Sequence, residues 1–251
     1  MSGKTQSPFL FLRMKSIKKS FNDKFPQLFR LSSHIYYFLI RLITGKRRTQ
    51  IIFHKIYKLK NWGALESVSG PGSNLKSTEN LRMELPVVIN ELNIKSFLDI
   101  PCGDYFWMKE ISLPLERYIG ADIVEELVNQ NNALFADDKR SFITLDLSKD
   151  NLPEVDAVFC RDCLPHFSVK LIKASIRKIK LSGSRFLFTS TYTACKENRE
   201  MHVGGFRPIN LQFKPFYFPE PIKIISDPCI TEISNLIDKS IGIWKISDIP
   251  F

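Results

Sequence analysis

Short apolar runs alternate with patterns of helical spacing over most of the chain after residue 80. The first helical pattern, Leu81–Leu92, repeats apolar residues at intervals of three and four positions, and Ser77 or Thr78 precedes it as a candidate N-cap. Such alternation predicts βαβ units and therefore an α/β fold with a largely parallel sheet. The predicted strands are Ser96–Ile100, Tyr118–Asp122, Ser141–Leu147, Ala157–Cys160, Arg185–Ser190, Ile222–Ser226 and Ile241–Ile246, and the helices predicted among them are Asp104–Ile111, Glu125–Leu134 and Ser168–Lys178.

An earlier stripe of apolar residues at helical spacing runs from Gln27 to Thr44, with Arg30 and Arg41 off the stripe. It predicts a helix that ends at the charge cluster Gly45–Arg48. Three interpretations of this segment stay open. The helix packs on the main domain or is solvated on its basic face; it attaches peripherally to an anionic bilayer; or it contacts nucleic acid, although no recognised binding motif accompanies the charge.

Composition and charge add a division of the chain near residue 60. The 251 residues are 44% hydrophobic and 25% charged, as in a soluble globular chain rather than a disordered, collagen-like or membrane-spanning one. Residues 1–60 hold 14 of the chain's 36 Lys/Arg and one of its 26 Asp/Glu, which leaves 22 basic and 25 acidic residues over 61–251. We therefore predict a basic helical extension over residues 1–60 and a mildly acidic main domain over residues 61–251.

The cysteines and the apolar segments near the amino terminus indicate the compartment. Five cysteines are an odd number in a chain of this length, so we interpret them as reduced thiols rather than as a disulfide framework. The apolar patch Phe9–Leu12 is short and is interrupted by Arg13, which argues against a signal peptide. The run Ile35–Ile40 ends at Arg41, well short of the roughly 20 residues that a membrane span needs. We expect a cytoplasmic protein, and peripheral attachment to the membrane through residues 1–60 stays an open alternative.

Acidic residues end three of the predicted strands. Asp99 closes the first strand and is followed by a tight turn that contains Gly103, and the next two strands end at Asp122 and Asp146. Ligands of open α/β sheets bind at the carboxyl ends of strands, where the strand order reverses. An ionised carboxylate offers only acceptors, so Asp122 suits the two hydroxyls of a ribose, and Asp146 with Leu147 suits the edge and face of a purine.

The turn after Asp99 argues against a dinucleotide. A dinucleotide fold needs the spacing G-x-G-x-x-G so that the backbone can approach a pyrophosphate. This turn has one glycine, Gly103, and Asp104 follows it directly. Acids at the turn would repel phosphate and attract a cation. A cofactor that carries an ammonium, a sulfonium and an adenosine suits these carboxylates better.

On these motifs the chain resembles class I S-adenosylmethionine-dependent methyltransferases, over roughly residues 61–251. Within that class it is most similar to a bacterial subgroup that also has S-G-P-G-S and G-G-x-R-P-x-N-L segments. The resemblance implies a Rossmann-like sheet of seven mostly parallel strands with helices on both faces. Tyr105 departs from the class, since it replaces the second glycine of D-x-x-C-G-x-G. The matching segments are Leu98–Asp104, Tyr118–Ile123, Thr144–Leu147, Asp156–His166, Ser69–Ser73 and Gly204–Leu211.

The resemblance also implies roles for individual residues. S-adenosylmethionine is the implied cofactor. A zinc site at Cys160-x-x-Cys163 would need four ligands of good geometry, and we predict no metal. The implied cofactor-binding residues are Asp99, Cys102, Gly103, Asp104, Asp122, Ile123, Asp146, Leu147 and Arg161; the catalytic candidates are His166 and Asp162; and the substrate-binding candidates are Tyr192, Arg207 and Asn210.

The function that we predict is methyl transfer from S-adenosylmethionine to an oxygen or nitrogen of a small molecule or glycan. The ordinary pKa of a histidine, about 6.5, suits His166 to proton removal near neutrality, and Asp162 is the competing candidate. Because methyl transfer is an in-line displacement, positioning alone can supply much of the catalysis. Two alternatives stay open: an RNA methyltransferase, favoured by the basic charge alone, and a non-catalytic membrane- or partner-binding protein that keeps a degraded cofactor pocket.

Overall fold

Residues 35–39, 47–62, 66–231 and 234–250 are described by the structure, which is a computed structural model. The chain divides into two compact units, residues 1–51 and 52–251. In the first unit, residues 35–39 are helical, and Ile35 and Phe38 are more than half exposed. The remainder of the helix predicted over Gln27–Thr44, and the patch Phe9–Leu12, lie outside the described residues. No helix among the described residues is long and apolar enough to cross a membrane.

A seven-stranded sheet forms the centre of the second unit. Its strands are β1 (Ser96–Asp99), β2 (Arg117–Asp122), β3 (Arg140–Thr144), β4 (Ala157–Cys160), β5 (Phe186–Tyr192), β6 (Lys223–Ser226) and β9 (Lys239–Lys245), and a separate hairpin contains β7 (Cys229–Thr231) and β8 (Ser234–Leu236). The strand order is β3-β2-β1-β4-β5-β9-β6, in which β1 to β5 are parallel and β9 is antiparallel to both of its neighbours. This confirms the prediction of a Rossmann-like, mostly parallel sheet.

Helices cover both faces of the sheet. Because successive residues of a strand point to opposite faces, neighbouring strand residues pack in different core clusters. Phe97 of β1 belongs to the core cluster that contains Leu81 and Leu85, whereas its neighbour Leu98 belongs to the cluster that contains Ile172 and Ile176. With both faces covered, all four residues of β4 and all seven of β5 are buried. The long helices are α1 (Arg48–Lys58), α2 (Glu79–Glu91), α3 (Glu125–Phe135) and α4 (Val169–Leu181).

Helix α1 was not predicted. Its residues Phe53 and Ile56 belong to the core of the second unit. The separate extension over residues 1–60 stays a prediction, and its last helix contributes these two side chains to the core.

The helix predicted over Asp104–Ile111 is wrong, since only a 3₁₀ turn at Met108–Glu110 forms there. Tyr105 has φ of 57°, which a right-handed helix cannot contain. The Asp104 carboxylate also accepts hydrogen bonds from the Ser67 hydroxyl and the Val68 amide, both at 2.9 Å, and so ties the turn to a distant loop.

The strand predicted to reach Leu147 ends at Thr144 instead. The Asp146 amide donates to the Asp150 carboxylate at 2.8 Å, and Asp146 in turn accepts the Ser148 amide at 3.0 Å. These bonds within the turn replace bonds to a neighbouring strand.

The topology places a crevice at the carboxyl ends of β1 and β4. After β1 the chain adds β2 and β3 on one side, and it then returns to place β4 and β5 on the other. The loops that leave β1 and β4 therefore diverge, and the space between them is the usual ligand site of such a sheet.

Candidate functional site

A cavity of about 710 Å³ lies at the carboxyl ends of β1, β2, β4 and β5, within the second unit. Its volume falls in the range of small-molecule sites. It brings together twelve of the fourteen predicted site residues, which are Asp99, Cys102, Gly103, Asp104, Asp122, Ile123, Asp146, Leu147, Arg161, Asp162, His166 and Tyr192. The two that do not line it are Arg207 and Asn210.

The turn after β1 is joined to the end of β2 through backbone amides. The Gly103 amide donates to Asp122 Oδ2 at 3.1 Å, and the Val124 amide donates to Asp122 Oδ1 at 2.9 Å. Gly103 has φ of 55°, and a Cβ at this position would lie 2.2 Å from Ser69 Oγ. Only glycine fits, both because of the left-handed backbone and because of this close approach.

The segment Ser69–Ser73 closes one side of the cavity between two turns. One end follows Ser67 and Val68, which bind Asp104, and the Gly72 carbonyl accepts a hydrogen bond from Arg161 Nη2 at 2.6 Å. All five residues of the segment line the cavity. The S-G-P-G-S sequence is therefore a wall of the site.

Two of the carboxyl groups are buried without an ion-pair partner in contact. Asp99 accepts the Tyr118 hydroxyl at 2.6 Å, and burial raises its pKa to about 7 although that hydrogen bond opposes the change. Burial likewise raises the pKa of Asp122 to about 6, against the amide hydrogen bonds from Val124 and Gly103. A cationic ligand in the cavity would favour the ionised form of both groups.

Asp146 has an acceptor to spare. Its Oδ1 accepts the Ser148 amide and hydroxyl, whereas its Oδ2 is buried and has no hydrogen-bond partner among the described residues. The apolar side chains of Leu147 and Ile123 line the same cavity. A buried acceptor without a donor is costly, and the exocyclic amine of an adenine is a donor that would satisfy it. These residues fit the adenosine of the implied cofactor.

Four charged side chains form a network beside the segment Ser69–Ser73, in which Arg161, Asp227 and Lys239 are buried and Asp162 is partly exposed. Arg161 donates to both Asp227 carboxylate oxygens, at 2.8 and 2.9 Å. Lys239 Nζ lies 2.6 Å from Asp162 Oδ2 and 3.0 Å from Asp227 Oδ2. Burial acts to raise the pKa of Asp162, but Lys239 and Arg161 hold it well below its usual range. Two positive and two negative charges thus compensate one another.

His166 lies between two aromatic rings on the other side of the cavity. Its ring centroid is 5.0 Å from that of Trp62 and 5.6 Å from that of Phe206. Nδ1 is 2.8 Å from the Gly205 carbonyl, which can only accept, so the neutral ring carries its proton on Nδ1 and leaves a lone pair on Nε2. Burial lowers the pKa of His166 and favours this neutral form.

Several solved structures have a fold similar to that of this chain. The methyltransferase domain of bacterial CtHen1-C matches with a TM-score of 0.51 at 13% identity, over 68% of this chain and 98% of that one, and the CtHen1-CN form matches with 0.50, 13%, 68% and 100%. The fold is that of a class I S-adenosylmethionine-dependent methyltransferase. Magnesium protoporphyrin IX methyltransferase (ChlM) from Synechocystis PCC 6803 with bound SAM has a TM-score of 0.49 at 17% identity, over 80% and 99%. No protein-family model and no curated protein matches the chain.

Within this methyltransferase fold, Arg207 and Asn210 hold a loop in place. Arg207 donates to the carbonyl oxygens of Pro165 at 2.7 Å and Arg199 at 2.9 Å, and its side chain is mostly buried. The Asn210 amide donates to the Asn198 side chain at 2.9 Å. These contacts fix the connector over residues 198–211 against the β4 loop, and they give neither residue contact with the cavity.

Several residues of the site were not predicted. Asp227 and Lys239 complete the charge network, and Trp62 and Phe53 line the cavity from α1 and the residues after it. Asp227 follows the end of β6 as Asp99 ends β1, a signal that could have identified it. Among the described residues, no group of three or more His, Cys, Asp or Glu side chains could hold a metal ion.

Proposed function

We propose that the chain transfers a methyl group from S-adenosylmethionine to an oxygen or nitrogen of a small-molecule or glycan acceptor. The observation that carries the proposal is the convergence of Gly103, Asp122 and Asp146 on one cavity, with Asp146 Oδ2 left without a donor. The predicted acids and glycine come from three successive turns of a methyltransferase fold, and each has an atom suited to one part of the cofactor.

Different residues of the cavity would bind different parts of the cofactor. Asp122 would accept the ribose hydroxyls, and Asp146 with Ile123 and Leu147 would hold the adenine. Asp99, Cys102, Gly103 and Asp104 would shape the methionine end, and Arg161 would border it from β4. When bound, the cofactor supplies a methyl group made electrophilic by the positively charged sulphur.

His166 Nε2 is the group best placed to accept the acceptor's proton. Its lone pair is available because Nδ1 is held by the Gly205 carbonyl. Asp162 is the weaker candidate, since Lys239 Nζ and the Ser190 hydroxyl already contact its carboxylate oxygens at 2.6 and 3.2 Å.

The charge of the cavity lining favours a small-molecule acceptor over RNA. Five aspartates line the cavity, and its two lining cations, Arg161 and Lys239, are each within ion-pair distance of Asp162 and Asp227. A phosphate group would meet an acidic lining without a free cation from the described residues. The argument for an RNA acceptor rests on the basic charge of residues 1–60 alone. An RNA methyltransferase would bind RNA with an affinity that falls steeply as the salt concentration rises.

Calorimetry of S-adenosylmethionine binding tests the proposal. The Asp122→Ala variant should bind the cofactor at least tenfold more weakly because the ribose loses its acceptor. The exposed acid Asp138 gives a matched control, and Asp138→Ala should bind as the wild type does. Circular dichroism checks that both variants are folded.

Two results would contradict the proposal. An unchanged titration of Asp122→Ala would remove this residue from the site. A wild-type protein that is stabilised thermally by NAD and not by S-adenosylmethionine or S-adenosylhomocysteine would overturn the cofactor assignment.

A further inference from the structure

Five aromatic side chains form a wall of the cavity, and the role inferred for this wall rests on the proposed function. We define it as Phe53, Trp62, His166, Tyr192 and Phe206, all of which line the cavity. Its members come from α1, the residues after α1, the β4 loop, β5 and the connector over residues 198–211. Under the proposed function Asp122, Asp146 and Leu147 would hold the adenosine, so the aromatic wall is not needed for cofactor binding.

Ring contacts hold this aromatic wall together. Phe53 braces Trp62 at a centroid distance of 6.0 Å, Trp62 lies 5.0 Å from His166, and Phe206 lies 5.6 Å from His166. Phe206 also meets the ring of Tyr192 edge-on at 6.2 Å. The other three pairs are tilted, and all four centroid distances lie within the range in which aromatic pairs attract one another. The wall is therefore an ordered surface rather than a set of separate side chains.

A glycine lets the connector approach α1. A Cβ on Gly204 would lie 2.9 Å from Ile56 Cδ1 and 3.0 Å from Ile52 Cγ2, and its φ is 86°. The Gly204 amide also donates to the His166 carbonyl at 2.9 Å. Helix α1 and the connector, which are more than a hundred positions apart in the chain, therefore meet beside His166. Gly204, the first glycine of the 204–211 run, permits this close approach.

Two polar atoms stand out in this aromatic surrounding. The Tyr192 hydroxyl is buried and has no hydrogen-bond partner among the described residues. The His166 ring makes its one hydrogen bond to those residues through Nδ1, which leaves Nε2 for a ligand. Burial raises the pKa of Tyr192 and lowers that of His166, so both side chains are neutral near pH 7.

We propose that the aromatic wall is the acceptor subsite and that it binds an uncharged ring bearing hydroxyl groups, either a phenol or a sugar. The ring would lie against Trp62 and Phe206, with one hydroxyl at His166 Nε2 and a second polar group at the Tyr192 hydroxyl. An anionic ring is disfavoured because the lining cations Arg161 and Lys239 are already ion-paired.

The transfer step then balances without a further reactant. The acceptor hydroxyl gives its proton to His166 Nε2 while its oxygen forms a bond to the methyl carbon. The carbon–sulphur bond breaks, and its electron pair stays on the sulphur. The products are a methyl ether and S-adenosylhomocysteine.

Binding of matched probes to the full chain tests the subsite. We would measure dissociation constants by ligand-observed NMR in the presence of S-adenosylhomocysteine, for catechol against 3,4-dihydroxybenzoate and for methyl α-glucoside against glucose 6-phosphate. The neutral member of at least one pair should bind at least tenfold more tightly than its anionic partner. The pair that responds distinguishes a phenol from a sugar.

Variants locate the binding. Trp62→Leu should weaken the responding neutral probe about tenfold, Trp62→Phe should keep its affinity within about threefold, and Tyr192→Phe should weaken it severalfold with little risk to folding. Phe213→Leu is the matched control, because Phe213 is exposed and lies outside the cavity lining. All four should bind S-adenosylmethionine as the wild type does.

The inference fails if the anionic members bind as tightly as the neutral ones, if no neutral probe binds, or if Trp62→Leu and Tyr192→Phe leave the neutral affinity unchanged. This failure is distinct from failure of the proposed function. If only the subsite inference fails, the wild-type protein still binds S-adenosylmethionine. If the proposed function fails, the wild-type protein does not bind it.

Discussion

The two sides of the cavity are built by different kinds of contact. On the cofactor side, at the ends of β2 and β3, Asp122 and Asp146 are held by backbone amides near them in the chain, those of Val124 and Ser148. On the acceptor side, at the ends of β4, β5 and β9, side chains pair across long stretches of sequence. Arg161 and Asp227 are 66 positions apart.

The difference extends to the charges. The cofactor side keeps carboxyl groups without cations in contact, and burial raises the pKa of Asp99 to about 7. The acceptor side pairs each acid with a cation, and the pKa of Asp162 is lowered. A cationic ligand would stabilise the carboxylates of the cofactor side. The carboxylates of the acceptor side are already neutralised by Arg161 and Lys239. This comparison teaches that only the cofactor side is electrostatically prepared for a positively charged ligand.

Breaking the charge network should give the largest effect on stability. Asp227→Asn removes one buried negative charge and leaves Arg161 and Lys239 with Asp162 alone. Removing one partner of a buried ion pair costs about 3–5 kcal/mol in the free energy of unfolding. Urea denaturation of the variant and the wild type measures the difference.

Restoring charge balance gives the control for that experiment. In the double variant Asp227→Asn/Lys239→Met the remaining pair is Arg161 with Asp162, so the loss should be smaller than in the single variant. Glu197→Gln removes an exposed ion pair with Arg199 and should change nothing measurable. A double variant less stable than the single one would show that shape, not charge, holds this side together.

The cofactor side should show its distinct electrostatics in the pH dependence of stability. With a folded pKa of about 7 against an ordinary 3.8, Asp99 keeps its proton in the folded state after the unfolded chain has released it. Stability from this group is therefore greatest below about pH 4 and falls as pH rises to about 7, by at most about 1.4 kcal/mol per pH unit. The wild type should lose stability relative to Asp99→Asn over this window.

The measurement is the difference between the two unfolding free energies from pH 4.5 to pH 8. The difference should level off above about pH 7, because Asp99 is then ionised in both states. Asp156 gives a flat control: burial acts to raise its pKa, but hydrogen bonds from Lys95 and the Arg185 side chain lower it to about 2. It is ionised in both states above about pH 5, so the difference between the wild type and Asp156→Asn should stay constant over the same window. A constant difference between the wild type and Asp99→Asn across the window would mean that Asp99 is ionised in the folded protein throughout.

The contrast between the two sides also explains what the sequence could predict. An acid that ends an apolar strand and is followed by a glycine turn is a contiguous pattern, so Asp99, Gly103 and Asp122 could be placed together before the structure. Alternating apolar runs likewise predicted all seven strands of the main sheet. Their ends moved by a few residues because turns such as that at Asp146 compete with the sheet for hydrogen bonds.

The acceptor side could not be predicted in the same way. Lys239 reads as an ordinary charged residue before a strand, and only its contacts with Asp162 and Asp227 make it a buried member of the site. Trp62 lies about a hundred positions from His166 and belongs to no motif. Arg207 lies in a recognisable run, yet its backbone contacts place its side chain away from the cavity.

A smaller effect should come from the glycine that shapes the cofactor side. Gly103→Ala forces a side chain into a backbone with φ of 55° and towards Ser69 Oγ, and strain of this kind costs about 1–3 kcal/mol. Because Gly103 also donates to Asp122, the variant should bind S-adenosylmethionine more weakly, while the neutral probes of the acceptor side should bind as before. The double variant Gly103→Ala/Ser69→Ala relieves the contact with Oγ but not the backbone strain, so it should recover part of the stability. Loss of probe binding in either variant would show that the two sides are coupled, and the distinction between a locally built half and a tertiary half would then not extend to function.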